Sequence, residues 1–176
     1  LALVPSAAAG YMSHDVQQMP YHQESDLLYL SGFVEHSSLL ACVRPRDGTA
    51  RWHLFVRPGN PSEELWDGAR AGVDGAKQHI LPDGEVHALR DAADVLVSEI
   101  GGVSSLLYDT TGKQHDSQVE QELREMLEGC AERGVAVRSA TRQLVHSLRL
   151  RKSEAESALM RASGALCADA FRSVMN

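Results

Sequence analysis

The sequence sets one tryptophan in an unusual context, Glu63-Glu64-Leu65-Trp66-Asp67-Gly68-Ala69-Arg70-Ala71-Gly72. A strand-like run, Trp52–Val56, and a turn, Arg57–Pro61, precede it. The glycines of the stretch free the backbone for unusual dihedral angles, which predicts a loop. A large aromatic side chain on such a loop exposes apolar area unless something covers it. The residues leave three covers open: the protein's own sheet, a second subunit or a ligand.

Length and charge narrow the classes of protein. The 176 residues suit one domain, or one domain with a fragment of another. A net charge of −7 argues against nucleic-acid binding, and no apolar run is long enough to span a membrane. Leu1–Val4 is too short for the core of a signal peptide and lacks a basic flank. Because the chain lacks an initiator Met, we expect it to be processed or trimmed.

The remaining composition argues against disulfides and against metal binding. The three widely spaced cysteines, Cys42, Cys130 and Cys167, are typical of free thiols in a reducing compartment. The sequence has no CxxC or HExxH spacing, and no two histidines have a ligand-like spacing on one helix face. We therefore expect no metal ligands and no cofactor in this chain.

Short apolar runs predict the first half of a sheet. Leu1–Ala9 is strand-capable, and Tyr11–Gln23 is typical of a long loop. Asp26–Leu30 and Leu39–Val43 have the pattern of buried strands. An Asp-Gly turn at Arg46–Thr49 then leads into Trp52–Val56 as the partner strand of a meander.

Helical spacing appears after the tryptophan stretch. Apolar residues recur on one face from Val86 to Ile100 and again from Ser117 to Arg133. Ser105–Tyr108 and Val135–Val137 are short apolar runs that predict strands. This order predicts an α/β fold in which a mixed sheet is flanked by helices.

The tail of the chain has a different character. Ser153-Glu154-Ala155-Glu156 is a capping box, which marks the start of a helix. The helix has two adjacent apolar stripes that together are too wide for an ordinary surface helix. The first contains Leu159, Leu166, Ala170 and Val174, and the second contains Met160, Gly164, Cys167, Phe171 and Met175. We expect it to be the first helix of a domain that has been cut away.

Three motifs occur in order: Tyr21-His22-Gln23-Glu24-Ser25-Asp26-Leu27-Leu28-Tyr29-Leu30-Ser31-Gly32-Phe33, Glu64-Leu65-Trp66-Asp67-Gly68-Ala69-Arg70-Ala71-Gly72, and Leu148-Arg149-Leu150-Arg151-Lys152-Ser153-Glu154-Ala155-Glu156. With them, nearly the whole chain closely resembles the amino-terminal domain of the aminopeptidase P (Xaa-Pro aminopeptidase) family. The tryptophan motif is most similar to the mitochondrial form. The resemblance implies a creatinase-type amino-terminal domain at 1–140, an interdomain linker at 141–152 and the first helix of a truncated pita-bread catalytic domain at 153–176.

The family's catalytic domain implies a metal-dependent hydrolase. In the family it binds two metal ions, usually Mn²⁺, and releases an amino-terminal residue that precedes proline. Its five ligands, two Asp, one His and two Glu, lie beyond the position that matches Asn176. We therefore expect this chain to be inactive alone and to bind no Mn²⁺ tightly.

Three site residues carry over from the resemblance. Asp26 matches an acidic residue that faces the catalytic cleft, and Arg142 matches an arginine that borders the cleft near the domain junction. Trp66 matches a tryptophan that reaches into the cleft of a neighbouring subunit, where Asp67 and Arg70 would supply a polar rim. On the residues alone, Asp26 also suits the start of a strand, and Arg142 suits a solvated surface charge.

The implied partners are the chain's own catalytic domain, a homo-oligomer (dimer or tetramer) and peptides with proline at the second position. No nucleic acid or membrane is expected. The implied location is intracellular, and mitochondrial rather than cytosolic. The rival hypothesis is a peptide- or protein-binding module of a metal-free pita-bread homologue of the histone-chaperone type; creatinase and prolidase are closer rivals among enzymes.

Overall fold

A computed structural model describes residues 1–10, 20–45, 48–78, 84–101, 103–109 and 116–175, without the side chains of Asp67 and Ala131. The strands are β1 Ala2–Pro5, β2 Leu39–Val43, β3 Arg51–Val56, β4 Gly84–Ala88, β5 Ser105–Leu107 and β6 Ala136–Arg138. The helices are α1 Ser25–Ser31, α2 Pro61–Asp67, α3 Gly72–Ala76, α4 Ala92–Ile100, α5 Ser117–Glu132, α6 Thr141–Leu150 and α7 Glu154–Met175, with a 3₁₀ turn at Leu89–Asp91.

The described strands form one mixed sheet in the order β4-β3-β2-β1-β5-β6. Strand β2 is antiparallel to both its neighbours, and the other pairings are parallel. Every described strand except β2 therefore runs in one direction. The carboxyl ends of β1, β5 and β6 meet at one edge of the sheet.

Alternating strand residues build a core on each face of the sheet. Leu3, Leu39 and Phe55 pack with residues of α4 and α5 on one face. Their strand neighbours, including Val4 and Leu54, pack with residues of α1 and α3 on the other. Because successive side chains of a strand point to opposite faces, helices cover both sides. The mixed sheet flanked by helices is thus confirmed.

The strand that we predicted within the first motif is a helix in the structure. Asp26–Leu30 lies in helix α1, not in a buried strand. Its apolar run is too short for periodicity to separate a strand from a helix. Gly32 ends the helix with φ of 70°, and the Ser31 hydroxyl donates to the Leu27 carbonyl at 2.8 Å. The meander is formed instead by β1, β2 and β3.

Two further boundaries differ from the sequence expectation. Val86–Ala88 belongs to β4 rather than to a helix from Val86, because it pairs in parallel with β3. The last strand is β6, one residue later than Val135–Val137. Helix α5 and strand β5 match their predictions closely. Arg46 and Asp47 of the predicted turn and much of the predicted long loop at Tyr11–Gln23 lie outside the described residues.

The chain divides into two compact units, Leu1–Arg142 and Gln143–Asn176. In the second unit, the Ser153 hydroxyl accepts from the Glu156 N–H at 3.1 Å, and Glu156 accepts in return from the Ser153 N–H at 2.8 Å. This confirms the capping box that opens α7. Over Glu154–Met175 no side chain is buried, and Phe171 and Val174 are 67% and 85% exposed. Among the described helices, none combines the length and apolar character that a membrane span requires.

Candidate functional site

A small pocket lies at the sheet edge where β1, β5 and β6 end. It offers about 30 Å³ to a water-sized molecule, enough for a bound water or the tip of a ligand. Its lining combines the end of β1 with the start of α1 and the segments that follow β5 and β6. The lining residues are Leu3, Val4, Pro5, Ser6, Ala7, Glu24, Asp26, Asp109, Thr141 and Arg142. Asp26 and Arg142, two of the three sequence-predicted site residues, therefore line one pocket.

Gln23 fixes the segment that places Asp26. Its Oε1 accepts from the backbone N–H of Ala7 at 3.2 Å and of Glu24 at 2.8 Å, while its Nε2 donates to the Glu35 carbonyl at 2.8 Å. One side chain thus ties the exit of β1 to the start of α1. Asp26 follows in the first turn of α1 and is only 4% exposed. The carboxylate is therefore held at the pocket wall by a short, well-anchored helix.

Tyr21 supports the same junction. Its hydroxyl donates to Gln23 Oε1 at 2.7 Å and lies 3.2 Å from the Ala7 carbonyl. Burial raises the pKa of Tyr21 well above its usual value, and the nearby Asp116 carboxylate adds to the effect. The phenol therefore stays neutral and remains a hydrogen-bond donor throughout the ordinary pH range.

Asp109 anchors the other wall of the pocket. It lies two residues beyond β5, and its Oδ2 accepts from the backbone N–H of Arg142 at 2.6 Å. Its Oδ1 accepts from the Ser139 hydroxyl at 2.7 Å. An acceptor at the first turn of a helix satisfies an amide that has no partner inside the helix. The backbone of Arg142 is thereby fixed against the end of β5.

Thr141 adds a polar atom to this wall. Its side chain is 4% exposed, and its hydroxyl has no hydrogen-bond partner within the part of the chain that the structure describes. Such a buried hydroxyl is costly unless a ligand or water satisfies it. Sequence reasoning missed both Asp109 and Thr141. The available signal was their position directly after apolar strands whose carboxyl ends share one sheet edge, where ligands commonly bind.

Trp66 does not line this pocket. It lies near the end of helix α2, so the predicted loop around it was wrong in part. The Asn60 side chain caps the helix by accepting from the Ser62 N–H at 3.1 Å, and Gly68 ends it at φ of 90°. Within the stretch, only the segment between α2 and α3 is a loop. The indole is 85% exposed, so the described residues leave it largely uncovered.

Arg70, which the sequence suggested as part of a polar rim, has a largely buried side chain. Its side chain is 5% exposed and pairs with Glu63 Oε2 at 2.5 Å. The guanidinium pulls the pKa of the Glu63 carboxyl below its usual value. This ion pair joins α2 to the segment before α3. The side chain of Asp67, the other expected rim residue, lies outside the described atoms.

The family model for the aminopeptidase P N-terminal domain matches residues 1–108, more than half of the chain. This chain belongs to that family. The match covers β1 to β5 and both motif-bearing helices, α1 and α2. The recognition made from the three motifs is therefore confirmed.

Individual relatives agree with this assignment. Human Xaa-Pro aminopeptidase 3 is 33% identical over 94% of this chain, which covers 32% of that protein. The mitochondrial intermediate cleaving peptidase 55 of Arabidopsis thaliana is 27% identical over 99% of this chain, which covers 33% of that protein. The zinc-substituted aminopeptidase P of Escherichia coli in complex with product superposes with a TM-score of 0.78 at 27% identity, over 97% of this chain and 39% of that one. The chain thus spans about a third of the length of the curated relatives it matches.

Proposed function

We propose that this chain is the non-catalytic amino-terminal domain of an Xaa-Pro metallo-aminopeptidase, and that it forms one wall of the substrate cleft. One observation carries the proposal. Asp26 of the first motif and Arg142 near the proposed domain junction are far apart in sequence, and both line the pocket at the carboxyl edge of β1, β5 and β6. Their meeting at the carboxyl ends of parallel strands, where ligands commonly bind, supports a role for that edge in the cleft.

The lining fits the end of a peptide. Glu24, Asp26 and Asp109 contribute carboxylates that favour an amino-terminal ammonium group, and Arg142 contributes a cation that suits a carbonyl or carboxylate. The Thr141 hydroxyl is a further polar atom at the wall. Such a wall would bind and orient the substrate, and it would limit the cleft to the amino-terminal ends of peptides. Orientation alone can supply several kcal/mol of catalysis.

The chemistry itself would belong to a catalytic domain with two Mn²⁺ ions, which would supply metal-activated water for peptide hydrolysis. The expected arrangement places the amino-terminal domain at 1–140, the linker at 141–152 and the first catalytic-domain helix at 153–176. Helix α6 occupies most of that linker. The exposed apolar side chains of α7 would then pack inside the catalytic domain.

The remaining proposals concern assembly and location. Trp66 is a large exposed aromatic on α2, which favours burial against a second copy in a homo-oligomer. Substrates would be peptides with proline at the second position. The relation to the mitochondrial peptidase of Arabidopsis thaliana supports a mitochondrial location over a cytosolic one.

The test compares the complete protein with this chain. The protein made from the complete reading frame is assayed with Mn²⁺ on a peptide with proline at the second position and on its alanine counterpart. We expect hydrolysis of the proline peptide only, and none by the 176-residue chain. Arg142→Ala in the complete protein should raise KM or lower kcat, whereas Arg90→Ala, on an exposed side chain of the 3₁₀ turn, should not.

Two outcomes would overturn the proposal. Failure of the folded, metal-loaded complete protein to cleave either peptide would favour the peptide- or protein-binding module. Full activity of Arg142→Ala together with Asp26→Asn would show that this pocket is not part of the cleft.

A further inference from the structure

Three potential metal ligands meet on the opposite half of the sheet from the pocket. His53 of β3 is the register partner of Glu85 on β4, and His87 follows two residues later on the same face. His53 Nδ1 lies 3.2 Å from His87 Nε2. Glu85 Oε2 lies 3.6 Å from the same His53 atom and 3.4 Å from the same His87 atom. The three donor atoms thus form a nearly equilateral triangle.

The size of this triangle matches one tetrahedral ion. Zn²⁺ binds nitrogen and oxygen at about 2.0–2.1 Å, which places donors of a tetrahedral site about 3.3–3.4 Å apart. The three separations here, 3.2, 3.4 and 3.6 Å, bracket that value. An ion in contact with all three donors would therefore need almost no movement of the side chains. A fourth position would remain for water.

A carboxylate lies near the second ring nitrogen of His53. This side chain is 3% exposed, and its Nε2 has no hydrogen-bond partner among the described residues. That nitrogen lies 4.0 Å from Glu99 Oε1 of α4, and Glu99 also pairs with Arg51. A metal on Nδ1 would keep the proton on Nε2, facing the carboxylate. Carboxylates commonly accept a hydrogen bond from the second ring nitrogen of a metal-binding histidine, and Glu99 would have to move closer than 4.0 Å to do so.

The surroundings favour the form of histidine that binds metal. Burial lowers the pKa of His53, which favours the neutral imidazole. Phe55 stacks on His87 with ring centroids 5.3 Å apart and on His53 at 6.3 Å. The phenyl ring fixes both imidazoles and provides an apolar side to the cluster.

We propose that His53, Glu85 and His87 bind a single divalent transition-metal ion, for which Zn²⁺ is the best fit. Two imidazoles and one carboxylate are ligands that suit Zn²⁺, whereas Mg²⁺ and Ca²⁺ prefer sites made only of oxygen ligands. The ion would join β4, one of the two terminal strands of the described sheet, to β3. The cluster shares no residue with the pocket at the carboxyl edge. The sequence did not suggest it because its ligands come from two strands that only the sheet brings together.

The test is a zinc titration of the reduced, chelator-treated 176-residue chain by calorimetry. Wild type should bind one Zn²⁺, and His87→Gln and Glu85→Gln should each weaken that binding at least about 10-fold. His22→Gln removes an exposed histidine outside the cluster and should leave binding unchanged. Ca²⁺ should give no site. X-ray absorption of the zinc-loaded chain should show nitrogen and oxygen ligands without sulfur.

The variants also keep the proposal falsifiable. The side chains of His87 and Glu85 are 23% and 68% exposed, so both substitutions should fold, with metal-free melting temperatures close to wild type. Zinc should raise the melting temperature of wild type and of His22→Gln only. Equal zinc binding by all four chains, sulfur ligation, or absence of binding by folded wild type would each overturn the proposal.

Discussion

Asp109 and Arg142 are joined by a hydrogen bond of 2.6 Å between the Asp109 carboxylate and the Arg142 backbone N–H. This bond connects the end of β5 to the first turn of α6, and it fixes the backbone of one proposed cleft residue. The same carboxylate receives the Ser139 hydroxyl. The geometry of the pocket therefore depends on an acidic residue that contacts the helix start and not on the arginine side chain alone.

Asp109→Ala should destabilise the 176-residue chain by about 1–3 kcal/mol, because it removes two hydrogen bonds to a charged acceptor. Urea denaturation measures the change. Asp91→Ala, which removes a half-exposed carboxylate paired only with Arg90 among the described residues, should alter stability by less than about 0.5 kcal/mol. Equal effects of the two substitutions would show that Asp109 is not a structural cap.

Asp116 should contribute more to stability than Asp109. This buried carboxylate accepts from the Ser37 N–H and hydroxyl, both at 2.9 Å, and from the Gln118 N–H at 3.0 Å. It thus caps α5 and holds Ser37 at a positive φ of 51°. Asp116→Ala should cost about 2–4 kcal/mol in urea denaturation, and Asp116→Asn should cost less because the amide keeps one acceptor. A loss below about 1 kcal/mol for Asp116→Ala would contradict this role.

The buried Tyr108 side chain should make the stability of the fold decrease at alkaline pH. Burial raises the pKa of Tyr108 to about 12, with a further contribution from the Glu120 carboxylate. The unfolded chain releases this proton near pH 10, so the stabilising effect of the neutral phenol is complete below pH 10 and is lost as pH rises towards 12. Between pH 9 and 11, wild type should lose about 1 kcal/mol more than Tyr108→Phe in urea denaturation. Parallel pH profiles for the two chains would contradict it.

Helix α7 should cause self-association of the 176-residue chain. Its exposed apolar side chains include Leu166 at 72% and Phe171 at 67%. A contiguous apolar surface of this kind favours pairing with a second copy. The double variant Leu166→Gln and Phe171→Gln should lower the mass found by sedimentation without lowering the melting temperature. Wild type that remains monomeric at high concentration would contradict the prediction.

The sequence predicted the architecture better than the identity of short elements. Helix α5 is long enough for its apolar period to be decisive, and the capping box at Ser153 specifies a local geometry. Asp26–Leu30 failed because four consecutive apolar residues fit a helix or a strand equally well. The decisive partner of Val86 is β3, a contact distant in sequence that no local pattern contains.

The candidate site was likewise predicted only in part from the sequence. Asp26 and Arg142 were found by resemblance, but their common pocket depends on the parallel register of β1, β5 and β6. Asp109 and Thr141 carry no motif of their own. The cluster of His53, Glu85 and His87 requires the β3–β4 register. The position of α4 then brings Glu99 to within 4.0 Å of the His53 ring.

Trp66 gives the sharpest test of assembly. Its indole is 85% exposed on α2, so Trp66→Ala should change the stability of the 176-residue chain by less than about 0.5 kcal/mol. In the complete protein, burial of the same ring against a second copy would make its truncation cost about 2 kcal/mol or more at the interface. We therefore expect the variant to lose oligomer mass in light scattering or to lose turnover of longer Xaa-Pro peptides. Leu65→Ala, on a neighbouring side chain that is 78% exposed, provides the matched control for a general effect on α2. Unchanged mass and turnover in Trp66→Ala, together with a large loss of thermal stability, would show that the tryptophan serves only its own domain.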